Sequence, residues 1–145
     1  MNIIKAFETA FEQKEEKNWD YIYVAVDIHG TIFKPTYSDE EYFDYYPYAK
    51  KTLQFISDRP EIKLILWSSS HANKLFLYLY HLNSDNIYID GINSNNEVKD
   101  TELASFKDKF YFNVGLDNNF GFEPEKDWKV VYDYLTEKFG EIEYD

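Results

Sequence analysis

Cysteine is absent from this chain of 145 residues, and basic residues are scarce. Without cysteine the protein can form neither disulfide bonds nor thiolate metal sites, which agrees with a reducing compartment. The 15 lysines and arginines are outnumbered by 27 aspartates and glutamates, which gives a formal net charge of −12. Because this charge repels phosphate backbones and no local basic patch offsets it, we expect binding to neither nucleic acid nor anionic membranes.

Long hydrophobic runs are also absent. None approaches the roughly 20 apolar residues that a helix needs to cross a bilayer. Residues 1–19 instead place Ile3, Phe7 and Phe11 on one face of an amphipathic helix with charged residues between them. This pattern fits neither a signal peptide nor a membrane anchor. We therefore expect a soluble cytoplasmic protein.

The sequence does contain enough apolar and aromatic residues for a substantial core. Hydrophobic residues make up 44% of the chain, and 14 tyrosines, 12 phenylalanines and 3 tryptophans are among them. A chain of this length usually forms one domain and can bury a core without disulfides or a structural metal. Since the sequence has no linker and no repeat, we expect a single domain over residues 1–145.

Short apolar strands alternate with amphipathic helices along the chain. The strand patterns cover residues 21–26, 62–67, 87–89 and 110–116. The helical patterns cover residues 1–19, 47–58, 72–82 and 124–139, with Phe76 in the buried stripe of the third and Gly140 as a stop signal after the last. This alternation predicts an α/β fold of three α/β/α layers around a mainly parallel central sheet.

Polar residues suited to phosphate chemistry follow three of these strands. Asp27 follows the first strand, Ser68 the second and Asp117 the fourth. Ligands of parallel sheets bind at the carboxyl ends of the strands, so these residues would share one edge. For them to converge, the strand bearing Asp27 must lie between the other two, which right-handed crossovers permit. Taken singly, each also has a structural explanation, as a capped strand end, a helix cap and a turn residue respectively.

The order of these residues resembles the motifs of the haloacid dehalogenase superfamily of phosphotransferases and hydrolases, over residues 21–122. The sequence DIHGT at 27–31 matches a first motif of Asp, any residue, usually Asp, Gly and Thr. His29 stands where that motif usually has its second acid. Ser68, with Ser69 as the neighbour that could replace it, matches a second motif of Ser or Thr at the end of an apolar strand.

The two remaining motifs of the family are a lysine and an acidic pair. We assign Lys99, because its VKD context and its distance from Asp117 resemble the small phosphatases that act on the tail of RNA polymerase II. Lys107 and Lys109 stay alternatives, and Lys99 taken alone reads as a solvated surface lysine. Asp117 and Asn118 match the acidic pair, and an Asp-Asn pair also resembles those tail phosphatases.

The resemblance implies a Mg²⁺-dependent phosphomonoesterase. Asp27 would attack phosphorus and form an aspartyl-phosphate. Ser68 and Lys99 would donate hydrogen bonds to the transferring phosphoryl oxygens, where negative charge must be stabilised. The groups that the resemblance assigns to Mg²⁺ are the carboxylates of Asp27 and Asp117, the backbone carbonyl of His29 and, through a water, Asn118.

A histidine at position 29 is compatible with two different functions. In the family's phosphatases, an acid at this place protonates the leaving oxygen and later deprotonates the attacking water. Histidine can perform both steps, since its unperturbed pKa of about 6.5 suits reversible proton transfer near neutral pH. The alternative is a weakened or inactive site, in which case the chain is a binding or assembly protein on the same scaffold.

No segment of the chain is long enough for a large cap domain. Only residues 33–46 are available as a short flap, so we expect an open site. An open site suits a bulky or macromolecular phosphorylated substrate, or completion by another subunit of a homo-oligomer. Because the flap is rich in acidic residues, it disfavours highly anionic substrates.

Overall fold

The computed structural model of the chain describes residues 2–34, 43–67, 72–92 and 112–140. The helices in these ranges are α1 (Ile3–Lys17), α2 (Ala49–Asp58), α3 (Ala72–Ser84) and α4 (Pro124–Phe139). The strands are β1 (Ile22–Asp27), β2 (Ile62–Trp67), β3 (Gly91–Ile92) and β4 (Val114–Leu116), and a 3₁₀ turn spans Asn118–Phe120. None of the described helices is both long and apolar enough to cross a bilayer.

The four strands form one parallel sheet in the order β3-β2-β1-β4. β1 pairs along its whole length with β2, so that Asp27 lies opposite Trp67. On its other side β1 pairs with β4, where Val26 lies opposite Leu116. The strand that bears Asp27 therefore lies between its two predicted neighbours, and the predicted α/β fold with a parallel central sheet is confirmed.

The apolar core joins one face of the sheet to the helices. Val24 and Val26 of β1 point to this face, because side chains alternate along a strand. All four described helices contribute to the same core cluster, through Phe7, Phe11, Leu53, Phe55, Ile56, Tyr78, Leu82, Trp128, Val131 and Leu135. Ala25 and Ile65 point to the opposite face and are buried as well. The centres of β1 and β2 are therefore buried on both faces, as in the central strands of a Rossmann-like fold.

The ends of α1 and α4 follow the local sequence. At the start of α1, the side chain of Asn2 accepts a hydrogen bond from the backbone N–H of Lys5 at 3.2 Å. α4 carries Pro124 in its first turn, where the missing N–H costs nothing. α4 ends at Phe139, and the φ of 91° at Gly140 lies outside the helical range. The predicted stop signal at Gly140 is therefore confirmed.

α2 begins at Ala49, although the sequence predicted a start at Pro47. Tyr48 has a φ of 67°, in the left-handed region, so the chain cannot continue a right-handed helix through this residue. The predicted end at Asp58 is confirmed.

The predicted buried stripe of α3 is wrong for one residue. Tyr78 and Leu82 are buried, and Leu75 and Leu79 pack partly against the core, but Phe76 is 70% exposed. At about 100° of rotation per residue, Phe76 lies outside the arc that these four residues share.

The predicted third strand is wrong in position. Residues 87–89 are not a strand, and pairing with β2 begins only at Gly91. The backbone N–H of Ile87 instead donates to the Leu82 carbonyl at 2.9 Å, which ties this residue to the end of α3. The chain reaches β2 at Asp90, whose backbone N–H donates to the Leu64 carbonyl at 2.8 Å. Ile87 is therefore buried beside the end of α3 rather than paired in a strand, and Tyr88 after it is exposed.

Thr52 provides a test of the contact between α2 and α4. Its hydroxyl is buried, 2.6 Å from the Tyr48 carbonyl oxygen and 3.2 Å from the Trp128 carbonyl oxygen. Thr52→Val keeps the side-chain shape and removes the hydroxyl, so we expect the free energy of unfolding, measured with urea, to fall by about 1 kcal/mol. Thr136→Val, whose hydroxyl contacts carbonyls within α4 alone, is the control. Equal losses in the two variants would contradict a link between the helices.

Candidate active site

A tight turn follows Asp27 at the end of β1. The backbone N–H of Ile32 donates to the Ile28 carbonyl at 2.9 Å, which closes one helical turn. Gly30 has a φ of 74°, a conformation that residues with a side chain rarely adopt. A Cβ at this position would also lie 3.3 Å from the side-chain nitrogen of Asn118. Glycine therefore allows both the turn and its close approach to the residues after β4.

Thr31 connects this turn to the other strand end. Its buried hydroxyl oxygen lies 3.4 Å from Asp27 Oδ2 and 3.4 Å from Asn118 Oδ1, and it accepts a hydrogen bond from the backbone N–H of Asn118 at 3.2 Å. The carbonyl oxygen of Thr31 accepts a hydrogen bond from the indole Nε1 of Trp128 at 2.7 Å. Asp27 and Asn118 are thereby held at one edge of the sheet, while Ser68, which was also predicted there, lies outside the described residues.

Asp27 and Asp117 form a partly desolvated pair of carboxylates. Asp117 is buried, and its Oδ1 accepts a hydrogen bond from the backbone N–H of Asn119 at 2.8 Å. Burial, and then the charge of Asp117, raise the pKa of Asp27 to about 6, against the lowering effect of hydrogen bonds from the Ile28 backbone and Thr31. None of the salt bridges between described residues involves either carboxylate.

The donor set at this edge fits a hard divalent cation. Mg²⁺ is commonly held by one or two carboxylates together with substrate oxygens and water, and it would offset the repulsion between Asp27 and Asp117. In the part of the chain that the structure describes, no group of three or more His, Asp or Glu side chains is placed to hold a metal. The fit therefore depends on these two carboxylates, and the assignments of Asn118 and of the His29 carbonyl stay predictions.

The imidazole of His29 contacts a tyrosine that the sequence reasoning missed. His29 Nε2 lies 3.0 Å from the hydroxyl oxygen of Tyr78, and the two rings meet edge to face with centroids 5.1 Å apart. Tyr78 is buried, and its ring stacks on Phe33 at 5.8 Å and meets Phe43 edge to face at 5.7 Å. Its place on the buried side of α3 was a signal in the sequence, but nothing there linked it to His29.

The base of the predicted flap, residues 33–46, is a short antiparallel pairing. The backbone N–H of Lys34 donates to the Asp44 carbonyl at 2.8 Å, and Phe33 pairs with Tyr45. Residues 35–42 lie outside the described ranges, so the role of this segment as a flap stays a prediction.

Residues 43–45 are attached to α3 and the turn after it. The ring of Phe43 stacks on His81 with centroids 4.1 Å apart, and the Tyr45 hydroxyl donates to Asp85 at 2.7 Å. Burial, and then Asp85, raise the pKa of Tyr45 above its ordinary value. His81 is half-buried in this contact.

Several predicted site residues lie outside the described residues. These are Ser68 and its alternative Ser69, and Lys99 with its alternatives Lys107 and Lys109. Their proposed contacts with a phosphoryl group stay predictions from the motif resemblance. Of the predicted site residues, the structure describes Asp27, His29, Asp117 and Asn118.

The raised pKa of Asp27 predicts a change in stability. Above about pH 6 the folded protein holds an ionised Asp27 against burial and Asp117, a cost that the unfolded chain does not have. As the pH falls from about 6 toward 4, the folded form binds a proton before the unfolded chain does, and this cost disappears. We expect Asp27→Asn to raise the free energy of unfolding by about 1 kcal/mol near pH 8, after allowance for solvent screening.

Urea unfolding near pH 8 and near pH 4.5 measures this difference, which should shrink at the lower pH. Asp20→Asn, at an exposed position before β1, is the matched control for the loss of one carboxylate. A gain for Asp27→Asn of equal size at both pH values would contradict the assigned cause.

Comparison with known proteins supports the fold and assigns no activity. No protein-family model matches the chain, and no curated protein matches it. A solved structure described as that of a conserved protein coded by a locus from Bacteroides thetaiotaomicron is similar, with a TM-score of 0.62 and 25% sequence identity. The alignment covers 81% of this chain and 92% of that chain. The α/β arrangement is therefore shared with a protein whose description names no function.

Proposed function

We propose that the protein is a Mg²⁺-dependent phosphomonoesterase that uses Asp27 as its nucleophile. The observation that carries this proposal is the carboxylate pair of Asp27 and Asp117 at the carboxyl edge of a parallel sheet, with the pKa of Asp27 raised to about 6. The resemblance of residues 27–31 to the first haloacid dehalogenase motif supports the same function. An acidic pair that holds a cation suits a phosphate ligand, because the cation offsets the repulsion between the carboxylates and the phosphoryl oxygens.

In the proposed reaction Asp27 attacks phosphorus and the bond from phosphorus to the leaving oxygen breaks. The product on the protein is an aspartyl-phosphate, which water then hydrolyses to release phosphate and restore the carboxylate. Only the ionised form of Asp27 is nucleophilic, and Mg²⁺ beside it would favour that form, so activity should rise with pH at values below about 6. Mg²⁺, held by Asp27 and Asp117, would offset the charge of the phosphoryl oxygens.

The other polar residues hold the nucleophile and the phosphoryl group. Thr31 holds the turn after Asp27 through its contacts with Asn118. Ser68 and Lys99 are proposed to donate hydrogen bonds to the phosphoryl oxygens as charge develops on them.

His29 is proposed to be the general acid and base. It would protonate the leaving oxygen in the first step and accept a proton from water in the second. Tyr78 contacts His29 Nε2 at 3.0 Å and is itself packed among rings, so it would hold the imidazole in one orientation.

A binding or assembly protein on the same scaffold is the second candidate. The observation that favours it is the imidazole at position 29, which lies against Tyr78 where the family's phosphatases have a carboxylic acid. In this case the carboxylate pair would still bind Mg²⁺, but no phosphoester would be cleaved.

The enzyme proposal predicts turnover of an activated aryl phosphate such as p-nitrophenyl phosphate. Turnover should require Mg²⁺ and be lost on chelation, and Asp27→Asn should lower kcat by roughly 10³-fold or more. Asp20→Asn is the control that should keep full activity. Turnover without Mg²⁺, or equal turnover by Asp27→Asn, would rule out the proposed reaction.

Thermal unfolding separates the two candidate functions. Mg²⁺ should raise the Tm of the wild type, because it binds only the folded carboxylate pair, and should raise it less in Asp117→Asn. Mg²⁺ stabilisation without turnover of any phosphoester would support the binding protein.

The role of His29 is tested by leaving groups of different pKa. We expect His29→Ala to lower kcat roughly 10²-fold for an alkyl phosphate, whose leaving oxygen needs a proton, and much less for p-nitrophenyl phosphate. His29→Asp should preserve or raise activity, since it restores the usual acid of the motif. Introduced into the wild type, Tyr78→Phe should lower activity. Introduced into the His29→Asp variant, the same substitution should have little effect on activity. Unchanged activity of His29→Ala toward the alkyl phosphate would remove the acid–base role.

A further inference from the structure

Three exposed aromatic side chains surround the carboxylate pair, and we call them the aromatic rim: Trp67, Phe112 and Phe120. Trp67 is 43% exposed, Phe112 37% and Phe120 48%. Together with Ala25, Asp27 and Asp117 they line a small pocket of about 20 Å³. The three rings of the aromatic rim and the proposed nucleophile therefore line the same pocket.

The register of the sheet explains this juxtaposition. Asp27 lies opposite Trp67 in the pairing of β1 with β2, and Ala25 lies opposite Gly115 in the pairing of β1 with β4. Because alternate residues share a face, Ala25, Asp27 and Trp67 all point to the same side of the sheet. Gly115, on the same side, has no side chain of its own to cover the backbone of β4.

Gly115 makes room for two of the rings. A Cβ at this position would lie 3.0 Å from Phe112 Cε2 and 3.0 Å from Phe120 Cδ2, closer than carbon atoms normally approach. Unlike Gly30, this glycine has no positive φ, so the turn geometry does not require it. The space that the missing side chain leaves is filled by the two phenylalanine rings, which lie over the strand beside the pocket.

The chemistry of the rim identifies the group that it would accept. The described residues that line the pocket include no lysine or arginine, and the chain carries a formal net charge of −12, so a further anionic group is disfavoured. Exposed rings favour stacking with another flat apolar group. Because the pocket has room for little more than a water molecule, such a group would stack on the exposed rim rather than enter a deep cavity.

We infer that the aromatic rim binds an aromatic ring carried by the substrate, so that the favoured substrates are aryl phosphomonoesters. This inference rests on the proposed phosphatase function of Asp27. Since the rim and both carboxylates line one small pocket, a short link between the ring and phosphorus, through a single aryl oxygen, suits the site best. Hydrolysis then breaks the bond between phosphorus and the aryl oxygen, consumes one water and releases a phenol and phosphate.

Kinetics with two substrates test the rim. With Mg²⁺ present, Phe120→Ala should lower kcat/KM for 2-naphthyl phosphate by roughly 10-fold, and for acetyl phosphate, which has no ring, by less than about 2-fold. Phe76→Ala removes an exposed ring on α3 that does not line the pocket, and it should change neither value. Gly115→Ala, which displaces Phe112 and Phe120, should resemble Phe120→Ala. A phosphotyrosine peptide, used as a third substrate, shows whether the ring comes from a protein or a small molecule.

Binding without turnover provides an independent measurement. Phenylphosphonate, which cannot be hydrolysed at its carbon–phosphorus bond, should bind more tightly than methylphosphonate in the presence of Mg²⁺. It should also change the tryptophan fluorescence of the wild type but not of Trp67→Phe.

The outcomes separate the two proposals. If wild type hydrolyses phosphoesters but Phe120→Ala lowers kcat/KM for the aryl and acetyl substrates equally, the rim inference is overturned and the phosphatase stands. If no phosphoester is hydrolysed but phenylphosphonate binding depends on the rim, the ring site stands and the phosphatase fails.

Discussion

The hydrogen bonds of Thr31 fix the turn on which the rest of the candidate site depends. The hydroxyl of this residue links Asp27 to Asn118, and its carbonyl oxygen accepts from the indole of Trp128. Since Thr31 and Trp128 are buried, a displaced turn would leave polar atoms without water or a partner. The position of Asp27 is thus determined by α4 as well as by β1. A helix that contributes no candidate catalytic group is in this way part of the site.

The carboxylate pair lowers the stability of the folded protein, whereas the proposed function requires it. Parallel pairing of β1 with β4 places the residues that follow both strands at one edge, and burial there makes ionised Asp27 unfavourable. A fold selected only for stability would have an amide or an apolar residue at one of these positions. The presence of both acids is explained if the proposed Mg²⁺ binds to them. The strong net negative charge of the chain would assist its capture.

The sequence predicted the sheet better than it predicted the contacts of the site. The place of β1 between β2 and β4 was predicted from the convergence expected of Asp27, Ser68 and Asp117, whereas the place of β3 at the edge was not predicted. The third strand was misplaced, since burial of Ile87 against α3 gives the same apolar pattern as strand pairing. Tyr78 was missed for a different reason: its contact with His29 spans 49 residues, and no local pattern encodes such a pair.

One outer strand of the described sheet, β4, is very short. It has three residues, and the described residues directly before and after it are not strand, so this side of the described sheet offers little exposed hydrogen-bonding edge. A strand from a second chain needs a longer row of unpaired backbone groups to add to a sheet. This side of the described sheet is thereby protected against edge-to-edge pairing, even though the central strands are strongly apolar. Association between copies at this side would have to use side chains instead of continuing the sheet.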